Sequence, residues 1–560
     1  MFPKKKILIF FILLLYQSPI YSKSNSFSDF NSKNLSRYFS GIVAFENNNN
    51  SEALDFFNSS KVLVNKHDPY LKRLINSLVL ENRVLQAINE IKKNKSRKNS
   101  KFFDAYLLLT LDNIKKNNFD LASQHLKNAS ALAQPSNFDT AIVETLEQYI
   151  FVFKEKKILR DKKNFGKFST ISETFQKCYL GNNDTDTFFK KLFNDVRNDY
   201  TRYIYFYLSY LIEKNRLQDA KEISEKIQYA NTTLLLSQGK SWIENGNMEK
   251  FSQFFTCTDH NHIISEFLFL ISNLYSSQDN FERSNYFLNL SIYLNPKFIF
   301  NLSLIAENHY FNGEYKKAKK TLKNFKKDNE FYYWYRVKKE TQIIAKLKNK
   351  KESLNYIKSE FNKIEKPNEK HLFDMANFFR NAKEYNEAIN YYTKIIQIIG
   401  DDPEIKSDLL YRRGGCHERI GNYEEADKDL LLSLNIKPND AYVLNYLAYS
   451  WLERDYRIDE AIKMLETAYA EKSDDPYIID SIGWAYYLID DFIEAEKFLK
   501  RAVELMPDDP IVNDHYGDIL WKLNRKIQAR YFWSNVLEMK DTENDMIEKI
   551  NKKFIEGPKS

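Results

Sequence analysis

Ala461, Ala495 and Ala529 stand 34 residues apart, each inside a similar phrase: RIDEAIKML, FIEAEKFL and KIQARYFW. A fixed period of this length marks a chain built from stacked supersecondary units, and it constrains the fold more than any single motif. Upstream the same position is held by Ala426, Ala388, Ser353, Ala318 and Ser284, at steps of 34 to 38 residues. Ala53, Ala87 and Ala122 form a second run with steps of 34 and 35; Ala220 and Phe251 are weaker members.

Two further columns share the phase. Twelve residues before the anchor a small residue recurs in ten of thirteen repeats, as at Gly41, Gly239, Gly414, Gly483 and Gly517. Four residues after it a large apolar residue recurs in twelve of thirteen, as at Phe57, Leu430, Leu499 and Trp533. Positions four apart share one face of a helix. The pattern predicts an antiparallel helix pair per repeat, with the small residue permitting close approach and the apolar one filling the space beside it. One pair cannot bury its own stripe, so neighbours must stack. Pro438 and Pro507 fall where second helices should stop, and Asp475-Pro476 and Asp509-Pro510 where the next first helices should start. Only 13 Gly and 12 Pro in 560 residues argue against a sandwich, a barrel or a Gly-loop nucleotide enzyme.

This small/Ala/apolar/Pro layout resembles the tetratricopeptide repeat (TPR). The resemblance covers about residues 35–135 and 201–540. It implies an all-α fold, an α-solenoid or superhelix of about a dozen TPR-like repeats. The stretch from Ala441 to Pro510 is similar to the C-terminal block of exported bacterial TPR proteins of the cell envelope. Some of those are lipoproteins that serve as adaptors for envelope proteases. This chain lacks the lipid-anchoring cysteine. The expected organisation is a signal peptide at 1–22, a linker at 23–34, N-terminal repeats at 35–135 and an irregular helical segment at 136–200. Divergent repeats follow at 201–370, then an acidic C-terminal block at 371–540 and a capping helix and tail at 541–560. GNNDTDT at 181–187 reads as a loop.

The first segment reads as an address. Lys4–Lys6 precede the apolar run Ile7–Leu15, and Ile20-Tyr21-Ser22 offers a processing site. A basic start, a short apolar core and a small residue fit a secretory signal peptide, and the run is shorter than the ~20 residues a spanning helix needs. The expectation is an exported, periplasmic protein. The alternative is an uncleaved segment anchored in the inner membrane, the one route to membrane contact.

Catalytic patterns are lacking: no G-x-S-x-G and no H-E-x-x-H occurs, and the chain is read as a non-enzyme without cofactor or metal. Gly239-Lys240-Ser241 imitates a P-loop ending, but Leu234 stands where its first glycine belongs. Cys257, Asp259, His260 and His262 are metal-ligand types whose spacing matches no zinc signature, and they read as an inter-helix loop. Cys178, Cys257 and Cys416 read as three small core residues. FYYWYR at 331–336 sits among lysines, a pattern that could stack a nucleic-acid strand, yet it reads as a packed stripe; no nucleic-acid partner is expected.

The binding signal lies in the acidic block. Residues 371–540 carry 21 Lys/Arg against 32 Asp/Glu, whereas 314–370 carry 18 against 8. First helices line the groove of a TPR array. That projection places Asn445, Tyr449, Glu453, Tyr477, Asp480, Trp484, Tyr487, Asp514, Asp518 and Trp521 on its inner wall. Aromatics give apolar contact at low entropic cost, and carboxylates accept Lys, Arg or backbone N–H groups. The expected function is a protein–protein scaffold or adaptor in the envelope, holding a basic partner segment with an apolar anchor. The alternative is a peptidoglycan- or glycan-binding accessory of an envelope enzyme.

Overall fold

The computed structural model describes residues 31–65, 67–134, 138–160, 163–194, 201–229, 232–399, 402–540 and 542–558. The signal segment, its cleavage site and most of the linker lie outside them. The described residues are helical, without strands. They divide into two compact units, one reaching residue 343 and one beginning at 344.

The three columns explain the helix pairs. Every anchor from Ala53 to Ala529 is buried, and so are the small and apolar residues in phase with it. A Cβ on Gly483 would lie 2.8 Å from Leu499 Cγ, and one on Gly517 only 2.3 Å from Trp533 Nε1. Thus the small residue of a repeat packs directly on the apolar residue sixteen positions later, and a methyl group would have to push it away. Asp440, Asp475 and Asp509 each cap a first helix, accepting two backbone N–H groups through one carboxylate oxygen. Within pairs the turns place Asn48, Asn82, Asn117, Asn215, Asp490 and Asn524 at positive φ. Asn and Asp tolerate this conformation through local hydrogen bonds, which is how the turns manage with so few glycines.

In the C-terminal unit the pairs follow one another in order. They are Glu369–Asn381/Tyr385–Ile398, Pro403–Arg419/Tyr423–Ile436, Ala441–Leu452/Ile458–Glu471, Pro476–Leu488/Phe492–Leu505 and Pro510–Lys522/Lys526–Glu538. Asn544–Glu556 packs on the last of them.

The N-terminal unit departs from a plain stack. Its hairpin His260–Ser276/Phe281–Leu294 folds back onto the first helices Asp68–Leu80, Phe103–Lys115 and Asp139–Glu155. Asn289 Nδ2 donates to the carbonyls of Val79 and Leu80 at 2.9 and 3.1 Å. Arg283 meets Asp104 at 2.7 Å, and Tyr293 donates to Asp112 at 3.0 Å. The wall that would form a groove in the first repeats is covered by the chain itself. Besides stacking on its neighbours, this hairpin meets helices far from it in sequence.

Other boundaries shift. Ser32–Glu46 is already helical, capped by Asn31, so the linker does not extend to 34. The segment 136–200 contains Asp139–Glu155, Lys167–Leu180 and Thr185–Phe193, so the loop in GNNDTDT ends at Asp184. Cys178 and Cys257 are not separate core residues: they form a disulfide with Cα atoms 5.5 Å apart, leaving Cys416 buried and free.

Candidate functional site

The inner wall of the C-terminal unit is built on Ala441–Leu452, Pro476–Leu488 and Pro510–Lys522, whose successive members pack side by side. Helical spacing sorts nine residues into three rows across these helices. Asn445, Asp480 and Asp514 form one row, Tyr449, Trp484 and Asp518 the second, and Glu453, Tyr487 and Trp521 the third. Tyr477 stands apart near the start of its helix, 57% exposed.

Contacts between neighbouring helices consume part of this wall. Asp480 is buried and its Oδ2 meets His515 Nδ1 at 2.9 Å. The His515 ring stacks on Trp484 at 4.1 Å, and Tyr487 stacks on Trp484 at 4.6 Å. Trp484 Nε1 donates to Glu453 at 3.1 Å. Lys553, from the capping helix, reaches Asp514 and Asp518 at 2.7 Å each. Asp518 also accepts from Trp533 Nε1 at 3.2 Å. Gly557, at φ +81°, lies so close over Trp521 that a Cβ there would fall 2.3 Å from the indole nitrogen.

The electrostatics follow from this crowding. Burial alone would depress the His515 pKa, but Asp480, with Asp514 and Asp518 nearby, raises it above its ordinary value. Burial lifts Asp518 to about 7; Asp514 adds to the rise and Lys553 opposes it. Buried carboxylates that share one ammonium and one imidazole behave this way.

The fold thus engages several of the residues projected onto this wall. Asp480, Asp518, Trp484 and Trp521 are structural members, and Asp514 is held by Lys553; none is a free contact for a partner. Asn445 and Tyr449 remain half-buried, while Glu453 and Tyr477 are exposed. Asn445 Oδ1, Asp480 Oδ1 and the Tyr487 hydroxyl are buried without a hydrogen-bond partner. The sequence reading missed His515 and Lys553. His515 follows Asp514 directly and lies 35 residues after Asp480, one repeat on, and that spacing was the available signal. Lys553 carried none, since nothing in a polar cap says where its lysines reach.

The other candidates resolve into packing. Gly239, Lys240 and Ser241 lie inside the helix Leu234–Glu244, where Lys240 donates to the Ser224 carbonyl. Asp259 caps the helix His260–Ser276, His260 meets the Ile114 carbonyl at 3.0 Å and His262 accepts from Thr256 N–H. Phe331, Tyr332 and Trp334 are buried in the helix Glu330–Leu347.

Residues 407–440 match the family model of the tetratricopeptide repeat. A TPR repeat-containing protein of Pseudomonas aeruginosa is 33% identical over 91 residues, which is 16% of this chain and 15% of that relative. The chain thus matches less than a sixth of that relative's length. Among solved structures, a thermophilic TPR protein of Thermus thermophilus is 17% identical over 33% of this chain and 98% of its own, with a TM-score of 0.29. MamA of Desulfovibrio magneticus RS-1 is 21% identical over 30% of this chain and 98% of its own, with a TM-score of 0.25. The described residues form helix pairs without strands, and the match to the tetratricopeptide repeat lies within the C-terminal unit, at residues 407–440.

Proposed function

We propose that the protein is an exported interaction scaffold or adaptor of the cell envelope, holding a segment of a partner protein on the inner wall of its C-terminal unit. TPR arrays generally serve protein–protein interaction, through the concave surfaces that stacking creates. The observation that carries the reading is the part of that wall left to solvent, half-buried Asn445 and Tyr449 edged by exposed Glu453 and Tyr477. Exposed Glu453 supplies negative charge at the edge and Tyr477 an exposed ring, which suits a basic segment with one apolar anchor.

Export is supported by the basic-then-apolar first segment and by the Cys178–Cys257 disulfide, since such bonds persist in oxidising compartments. Fractionation with N-terminal sequencing tests the location: a mature chain beginning near Lys23 is expected, an inner-membrane chain that keeps Met1 would indicate the anchored form, and a cytoplasmic chain would reject export.

Affinity purification from envelope extract tests the binding face. Glu453→Lys should lose the bound protein most strongly at low salt, because rim charges steer association and are screened beyond about 8 Å at physiological ionic strength. Retention by Glu453→Lys, with loss on neutralising the lysines between 316 and 327, would place the contact elsewhere.

A further inference from the structure

The N-terminal unit holds a cleft of about 370 Å³ that the adaptor reading does not use. It lies where the folded-back hairpin meets the turns of the first two repeats, bounded by residues 48–51, 80–82 and 281–324. Eight of its twenty lining residues are asparagines. Two of them are oriented by hydrogen bonds. Asn289 spends its NH₂ group on the Val79 and Leu80 carbonyls, leaving its own oxygen to accept. Asn285, one helical turn before it, accepts from Asn308 at 2.8 Å, leaving its NH₂ group to donate. Asn50, which also lines the cleft, has a buried Oδ1 with no hydrogen-bond partner.

This lining selects among ligands. Anions meet Glu81, Glu282 and Glu314, and of the two lining lysines Lys317 is already bound to Glu314 and to the Asn48 carbonyl. His309, at 2.6 Å from Glu314, belongs to the same internal network. Leu80, Leu302, Ile305 and Phe281 supply the apolar part of the lining, which suits the C–H faces of a ligand rather than a purely polar one. Phe281 stacks with Phe311, which is 67% exposed, and the two rings make an aromatic edge beside the cleft. Alternating neutral donors and acceptors next to an aromatic face suit a ligand whose hydroxyl and amide groups both donate and accept and whose C–H faces are apolar. The volume is at the lower end of small-molecule sites, which start near 300 Å³.

We propose that this cleft binds a short oligosaccharide bearing N-acetyl groups, with Asn50, Asn285 and Asn289 reading its hydroxyl and acetamido groups. This site is independent of the protein-binding wall in the C-terminal unit, and either can fail alone.

Calorimetric titration of the full chain with chitotriose tests it, with cellotriose and a neutral tripeptide as comparison probes. Saturable chitotriose binding is expected, weakened about tenfold in Asn50→Ala. Hydrogen exchange on the unmodified chain should show protection on adding chitotriose at 48–51 and 281–289, a readout that holds even if the variant folds poorly. No saturable chitotriose binding up to about 10 mM would overturn the proposal, as would unchanged affinity in a folded Asn50→Ala or protection confined to the C-terminal unit. Equal or tighter binding of cellotriose or the tripeptide would overturn the assignment of an N-acetylated sugar.

Discussion

At the scale of single residues, glycines that sit at different closeness to a neighbouring helix should respond oppositely to substitution. A Cβ on Gly414 would come within 3.0 Å of Leu430 Cγ, whereas one on Gly415 meets only the Tyr446 hydroxyl at 3.4 Å. Gly415→Ala should therefore gain up to about 1 kcal/mol from helix propensity. Gly483→Leu, with Leu499 already 2.8 Å from the new Cβ, should cost about 1–3 kcal/mol by overpacking. Chemical denaturation of the two variants checks the opposed signs, and hydrogen exchange should loosen first around 476–510. Asp518 carries a pH dependence of definite sign. Its pKa is raised by burial, so its contribution to stability is complete below about 4 and is lost as pH rises through about 7. The stability advantage of the unmodified chain over Asp518→Asn should shrink between those values; an advantage that grows with pH would contradict the buried, proton-holding carboxylate. His515, also raised, acts with the same sign from about pH 6.5 upward.

At the scale of elements, the hairpin 260–294 and the disulfide decide whether the N-terminal unit holds together. Arg283 lies over Tyr286 and Phe287 and pairs with Asp104, whose side chain is 8% exposed. Removing one member of such a buried pair typically costs about 3–5 kcal/mol, so Arg283→Ala should release the hairpin from the first repeats. Exchange protection should then fall together in Asp68–Leu80 and Phe281–Leu294, which are distant in sequence. The disulfide spans 79 residues, and closing a loop of that length is worth about 4–5 kcal/mol in the chain-entropy picture. Reduction should lower the unfolding temperature of the N-terminal unit and leave the C-terminal unit, whose Cys416 is free, nearly unchanged. An equal loss in both units would contradict the division at 343/344.

At the scale of the whole molecule, the chain combines an N-terminal unit whose hairpin folds back on its own first repeats with a C-terminal unit whose inner wall keeps unsatisfied polar atoms. The period of 34 made the second legible from sequence, because Ala461, Gly483 and Leu499 sit where local helix geometry alone puts them. It also placed Asn445, Asp480 and Asp514 in one row. It could not show which of these the fold would use itself. That depended on His515 and Lys553, whose contacts join different helices and obey no period. The hairpin's return to Val79 and Leu80, about 210 residues away, lay beyond any local pattern for the same reason. The central claim is that a partner protein lies along this C-terminal wall. Photoactivatable side chains placed singly at Asn445, Tyr477, Lys320 and Lys323 in the living cell test it most directly. Adducts are expected from Asn445 and Tyr477 and should vanish when Glu453→Lys is added, while Lys320 and Lys323 stay unlinked. Adducts from Lys320 and Lys323 alone would contradict it.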